Sequence, residues 1–174
     1  MRPVTRIRAR PGLELRPAAR DDVDALESFI AAYTSDGTLL PRTRSNLLQH
    51  VRDFRLACDG DLLVGCGALQ VVNAHLAEVR SVAVHPDWRG GGIGSRIVES
   101  LLADAHARGL GRVFCLTRRQ SFFARLGFVT ASKESFPHKI WNDCRLCPRQ
   151  SSCDEIAMVR VLPEVVRRAP EGSA

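Results

Sequence analysis

"HPDWRGGGIGSRIV", residues 85–98, sets three consecutive glycines between an arginine and a stretch of helical spacing. Glycine lets the backbone turn tightly and lets a ligand approach the main chain closely. Upstream, "LAEVRSVAVHP" (76–86) reads as a strand stopped by Pro86. Downstream, "SRIVESLLADAHARGL" (95–110) has apolar residues at 97, 98, 101, 102 and 105, the stripe of a helix that Gly109 ends. A strand that enters a glycine turn and leaves as a helix bares amide N–H groups, and these favour an anion, above all a pyrophosphate. The spacing is not the dinucleotide-binding G-x-G-x-x-G, and no Gly-Lys-Ser/Thr follows to make a P-loop. On these residues alone a plain strand-to-helix turn is an equally good account.

The rest of the chain gives the loop its setting. "LELRPA" (13–18) alternates like a strand, and Asp21 or Asp22 can cap a helix through "VDALESFIAAY" (23–33). After the loop "SDGTLLP", "TRSNLLQHVRDF" (43–54) reads as a second helix ending near Phe54. "RLACDGDLLVGCGALQVV" (55–72) is a hairpin around an Asp-Gly turn. "RVFCLT" (112–117) reads as a short buried strand, and "QSFFARLGF" (120–128) as a short helix stopped by Gly127. Residues 128–162 hold a hairpin whose last strand is "DEIAMVRVL". Strands, helices and hairpins in this order predict an α+β domain over 13–162, between a basic N-terminal tail (1–12) and a C-terminal tail (163–174).

Composition narrows the class. With 174 residues and 45% apolar content, the chain suits one globular domain. No apolar run reaches the roughly 18 residues that span a membrane, and the opening "MRPVTRIRARPG" lacks a signal peptide's apolar core. A cytoplasmic protein with no membrane partner is expected. The net charge of +6 fits a polyanionic ligand, but the basic residues are scattered and not interleaved with aromatics, so no nucleic acid is expected as a partner. The six cysteines do not make a disulfide scaffold, and Cys58, Cys66 and Cys115 read as small buried hydrophobes.

The flanks make the glycine loop specific. "RGGGIG" fits Arg-x-x-Gly-x-Gly as Arg89, Gly92 and Gly94, directly after "VAVHPDW", and "FFARLGF" (122–128) follows. Together these resemble the GNAT N-acetyltransferase superfamily across residues 13–162. The resemblance implies the GNAT fold, a mixed central sheet flanked by helices, and acetyl-CoA as cosubstrate. It assigns the coenzyme A pyrophosphate to Arg89, Gly90, Gly91, Gly92, Ile93, Gly94 and Ser95, and the pantetheine arm to the backbone of Val82, Ala83 and Val84.

Further segments, "LLPRT" (39–43), "AEVRSVAVHP" (77–86) and "VFCLT" (113–117), look like the acetyltransferase domain of the N-acetylglutamate synthase family in its short single-domain form. That implies acetyl transfer to the α-amine of a small amino-acid acceptor, glutamate first, at the start of arginine biosynthesis. An α-amine near pH 7 is protonated and must lose a proton before it attacks a thioester, which calls for a general base. Glu78, on the strand leading to the glycine loop, matches the family's catalytic residue; an isolated strand glutamate would simply be solvated. Arg42 matches the family's substrate arginine, and its planar fork suits a carboxylate. Arg80 shares a strand face with Glu78, to bind substrate or to pair with that glutamate. Many GNAT enzymes carry a tyrosine acid where this chain has Phe123. Thr117, where the synthase-like family has serine, is the candidate for proton return or substrate contact; alternatively it bonds nearby backbone. Acetylation of another small amine or a protein N-terminus stays open, as does a coenzyme-binding regulator without catalysis and a homo-oligomeric state.

"FPHKIWNDCRLCPRQSSCDE" (136–155) adds Cys144, Cys147 and Cys153, a Cys-x-x-Cys pair with a third cysteine. His138, Asp143 or Asp154 could complete four metal ligands, though a strong zinc signature has two such pairs. Thiol redox chemistry is the other reading. The family resemblance sets this segment beside the acceptor pocket, with Lys139 and Arg149 as secondary contacts.

Overall fold

In the computed structural model, residues 12–35, 37–137, 143–147 and 149–163 are described. Seven strands form one sheet: β1 (Leu13–Pro17), β2 (Phe54–Asp59), β3 (Leu62–Asn73), β4 (Leu76–Val84), β5 (Arg112–Thr117), β6 (Val129–Ala131) and β7 (Ile156–Val161). Their order is β1-β2-β3-β4-β5-β7-β6. Only the β4–β5 pair is parallel, and all other neighbours run antiparallel. The helices are α1 (Val23–Ala31), α2 (Arg44–His50), α3 (Ile93–Ala107) and α4 (Gln120–Arg125).

The feature that creates a site is the early end of the β4–β5 ladder. Leu76, Ala77 and Glu78 pair with Arg112, Val113 and Phe114, and pairing stops there. β4 continues to Val84 and β5 to Thr117 with their facing edges unpaired to one another. A β-bulge helps turn β4 away. Cys66 faces Ala83 and Ala68 faces Arg80, so Ser81 and Val82 together oppose the single residue Gly67. Ser81 takes φ +54°, the only positive φ of a non-glycine among the described residues. Its carbonyl accepts the Cys66 thiol at 3.3 Å.

Helices cover both faces of the sheet. On one, Ile97, Val98, Leu101 and Ala105 of α3 bury the stripe read from sequence against Val64, Val79, Val113 and Met158. The helix lies close because β3 offers it glycine: a Cβ at Gly67 would stand 2.7 Å from Ile97 Cγ2. On the other face Leu26 and Ile30 of α1 and Leu47 of α2 pack on Phe54, Leu56 and Cys66. Cys58, Cys66 and Cys115 are buried free thiols, as expected. None of the described helices is long and apolar enough to cross a membrane.

Two local expectations need correction. The second helix stops at His50; Val51–Asp53 is a 3₁₀ turn and Phe54 already opens β2. The anchor of that helix is Thr43, whose hydroxyl accepts the Asn46 N–H at 3.2 Å. Asp22 does not cap α1 through its side chain. Its carboxylate instead accepts a two-pronged pair from Arg16 at 2.7 and 2.8 Å and the Ala19 N–H at 2.7 Å. The Arg16 guanidinium outcompetes the helix amides because a bidentate charged bond is stronger than a single neutral cap.

Candidate active site

Where β4 and β5 part, a cleft of about 910 Å³ opens. Its volume suits a ligand of coenzyme size. One wall is the end of β4, with Val82, Ala83 and Val84; the next is the glycine loop. Gly90 takes φ +80° and Gly92 φ +77°, the latter as N-cap of α3. A Cβ on either would meet nothing within 4 Å. Glycine is therefore required there by backbone conformation, not by crowding, and the first amides of α3 are left bare toward the cleft. Arg89 ties the loop back, its Nε donating to the Val84 carbonyl at 3.1 Å. Arg89, Gly90, Gly92, Ile93, Gly94 and Ser95 all line the cleft, and Gly91 does not. Gly94 has another role, since its Cβ position lies 3.4 Å from the Phe122 ring, so a small residue there lets α4 pack against the start of α3.

Glu78 sits at the fork itself. It occupies the last position of β4 that pairs with β5, lines the cleft and is only 4% exposed. Buried carboxylates are rare unless paired, and Arg80 NH1 stands 3.6 Å from its Oε2. Thr117 ends β5 on the opposite prong, 6% exposed and also in the cleft lining. Its hydroxyl accepts the Arg119 N–H at 2.8 Å, so the local backbone bond exists, and the hydroxyl retains its own proton as a donor. Phe123 is core: its ring meets Phe122 and Phe128 edge-on, with centroids 5.0 and 5.2 Å apart.

Arg42 is not on the main cleft. It lines an adjoining pocket of about 120 Å³ with Asn46, Gln70, Asp143 and Arg80, and Arg80 borders both spaces. Arg42 NH1 donates to Asn46 Oδ1 at 3.0 Å. Arg80 NH1 donates to Gln70 Oε1 and lies 3.0 Å from Asp143 Oδ2. Arg80 thus pairs with Glu78 and faces the pocket at once. The Nε atoms of both arginines are buried without a partner among the described residues. An orphaned buried donor costs about 1–3 kcal/mol, so both would gain from an incoming acceptor atom. Burial pulls the Arg42 guanidinium down to about 10; the Arg80 charge adds to this, and Asp143 and Glu78 oppose it.

The cysteine segment forms part of the cleft wall through Cys144, Cys147 and Cys153. Among the described residues no group of three His, Cys, Asp or Glu side chains could hold a metal, so the metal expectation finds no support. The two acidic candidates for extra ligands have other partners. Asp143 is on Arg80, and Asp154 lies 3.7 Å from both Arg118 and Arg149. Cys153 Sγ accepts from Lys133 Nζ at 3.3 Å. His138 and Lys139 lie outside the described residues, while Arg149 lines the main cleft and not the adjoining arginine pocket.

Sequence reasoning missed Gln70, Asp143 as an arginine partner, and Tyr33. Tyr33 is the single tyrosine of the chain; it lines the cleft and donates its Oη to the Val84 carbonyl at 3.3 Å. No local pattern could link positions 51 apart in the chain.

Comparison with known proteins agrees with this geometry. Residues 50–130 match the model of the acetyltransferase (GNAT) domain. An uncharacterised N-acetyltransferase of Chlorobaculum tepidum is 40% identical over 148 residues, covering 85% of this chain and 96% of that one. The amino-acid acetyltransferase of Mycobacterium tuberculosis is 42% identical over 118 residues, 66% of this chain and 67% of the relative. The solved N-acetylglutamate synthase of Neisseria gonorrhoeae, complexed with coenzyme A and N-acetyl-glutamate, superposes with a TM-score of 0.77 at 29% identity. That match covers 87% of this chain and 35% of the other, so the chain spans about a third of that synthase. A split parallel strand pair, a glycine loop opening a helix, and relatives alike in sequence and shape meet on one conclusion: the chain belongs to the GNAT family and is an acetyl-CoA-dependent N-acetyltransferase.

Proposed function

We propose that residues 13–162 transfer the acetyl group of acetyl-CoA to the α-amine of an amino acid, L-glutamate first, as the opening step of arginine biosynthesis in the cytoplasm. The observation that carries this reading is the buried Glu78 at the fork of β4 and β5, with the guanidinium of Arg80 at 3.6 Å and Arg42 in the adjoining pocket. A base, a carboxylate-binding pair and a coenzyme cleft then stand in one place. The names of the mycobacterial and gonococcal relatives support an amino-acid acceptor.

Each group has a definite task in this reading. The bare amides of the Arg89–Ser95 loop hold the coenzyme pyrophosphate, and the edge of β4 at Val82–Val84 that is not paired with β5 takes the pantetheine amides, the Val84 carbonyl already holding Arg89 and Tyr33. Bound there, acetyl-CoA supplies the thioester. Arg42 takes the acceptor carboxylate, whose two oxygens match the guanidinium fork and satisfy its orphaned Nε. Glu78 removes one proton from the ammonium, directly or through a water, which is worth about 10²–10⁴ in rate. The amine nitrogen attacks the carbonyl carbon and an N–C bond forms; as the C–S bond breaks the nitrogen sheds its second proton to solvent, and the sulfur leaves as the thiolate of a thiol with a pKa of about 8.5, which then takes up a proton. Loss as thiolate needs little help near neutral pH, so Phe123 in place of a tyrosine acid is tolerable. Thr117 is the nearest candidate to return a proton. A backbone amide near Val82 meets the charge that develops on the carbonyl oxygen.

The test is free-thiol release from acetyl-CoA with each of the twenty amino acids, wild type beside Glu78→Gln. Turnover of glutamate with a loss of about a hundredfold or more in the variant is the expected result. Turnover only of peptides or other amines moves the acceptor, and coenzyme binding with no reacting amine makes the chain a regulator.

A further inference from the structure

The arginine pocket already contains a carboxylate. Asp143 Oδ2 stands 3.0 Å from Arg80 NH1, closer than the 3.6 Å from Glu78 Oε2 to the same nitrogen. Arg80 is one-tenth exposed and Asp143 about one-quarter, so this ion pair is only partly screened by water. The charges facing the pocket are Arg42, Arg80 and Asp143, with Glu78 beyond Arg80 and Asp53 held by His50 at 3.2 Å. Before any acceptor arrives, Arg80 is ion-paired with carboxylates of the chain; among the described residues Arg42 hydrogen-bonds the neutral Asn46 oxygen at 3.0 Å and feels the Asp143 and Glu78 charges from further off.

We propose that Asp143 is a specificity-determining residue, standing on Arg80 where the second carboxylate of a dicarboxylic acceptor would bind and so weakening glutamate relative to an acceptor with an amide there, without removing glutamate as a substrate. This rests on the amino-acid reading above. An acceptor with one carboxylate is served by Arg42 and leaves the Asp143–Arg80 pair intact. An acceptor with two must displace Asp143 from Arg80 or lie against it, and like charges brought together at an interface are strongly disfavoured. A side-chain amide carries no such penalty. The placement also gives the cysteine segment a function, because Asp143 immediately precedes the Cys144–Leu146 turn, closed by the Cys147 N–H on the Cys144 carbonyl at 3.2 Å. That turn presents the carboxylate to the pocket.

The experiment compares kcat/KM for glutamate and glutamine in wild type, Asp143→Asn and Asp143→Glu, with the KM for acetyl-CoA measured in each to show an intact coenzyme cleft. In Asp143→Asn the glutamate-to-glutamine ratio should rise about tenfold or more, through KM for glutamate, as expected when a like charge is removed. Asp143→Glu, which keeps the charge, should stay within about threefold of wild type. An unchanged or falling ratio in Asp143→Asn overturns the proposal; a fall would mean that Asp143 orients Arg80 for the acceptor. If wild type acetylates neither amino acid, the proposed function fails while this inference is still tested by equilibrium binding of glutarate to the coenzyme-saturated protein. Tighter binding by about tenfold in Asp143→Asn supports it, and equal binding overturns it.

Discussion

Gly92→Ala separates what the glycine loop does for the fold from what it does for the ligand, because α3 carries a matched control at its other end. Gly92 caps the N-terminus with φ +77°, and Gly109 follows the C-terminus with φ +75°. A Cβ at either position meets nothing within 4 Å, so neither substitution creates a clash. The cost is backbone alone. An L-residue held in the left-handed region loses about 1–2 kcal/mol. Restricting the unfolded chain returns about 0.4–1 kcal/mol. The net is about 1 kcal/mol for both variants, or about 2–4 °C in Tm for a chain of this size. Only Gly92 borders the cleft. If alanine relieves its φ by rotating the peptide, the amides that open α3 turn away, and losing one hydrogen bond to a charged group costs about 1.5–3 kcal/mol. The KM for acetyl-CoA should therefore rise about tenfold or more in Gly92→Ala and stay at the wild-type value in Gly109→Ala, while thermal melts show similar Tm losses. Equal acetyl-CoA KM in the two variants would refute the assignment of the pyrophosphate to this loop.

Arg42→Lys keeps the charge but loses the planar fork; KM for the amino-acid acceptor should rise about tenfold, the worth of roughly one charged hydrogen bond, with KM for acetyl-CoA unmoved. In a timed iodoacetamide reaction at pH 8 read by peptide mass spectrometry, the exposed Cys153 should label first. Cys66 should stay unlabelled until the protein unfolds, since burial pushes its thiol up to about 12 and no thiolate is present. Cys115 should behave alike: burial raises it, with Glu78 and Glu155 adding to the effect. Native labelling of Cys115 would mean that the thiol is reachable in the folded protein, against its burial.

The strand-loop-helix unit was legible because each signal in it is local. The stripe of α3, the glycines at 90 and 92 and the stop at Pro86 lie within one short stretch, and the structure uses each in its place. Glu78 and Thr117 were legible through the motifs around them, and both prove to be buried polar residues at the two prongs of the fork. What sequence could not supply was competition between partners. Asp22 looks like a cap until the fold brings Arg16 beside it, and the stronger charged pair wins. The cysteine segment looks like a metal site while its acidic neighbours seem available. Folding gives those acids to arginines from elsewhere in the chain: Asp143 to Arg80, Asp154 to Arg118 and Arg149. The same long-range pairing brings Arg80 into the acceptor question beside Arg42, because among the described residues it is the one side chain that borders both the main cleft and the arginine pocket. Arg80 lies between Glu78, the proposed base, and Asp143, the proposed guard of the pocket, so substitutions at Asp143 and Glu78 are coupled through it, and their effects on glutamate turnover should depart from additivity.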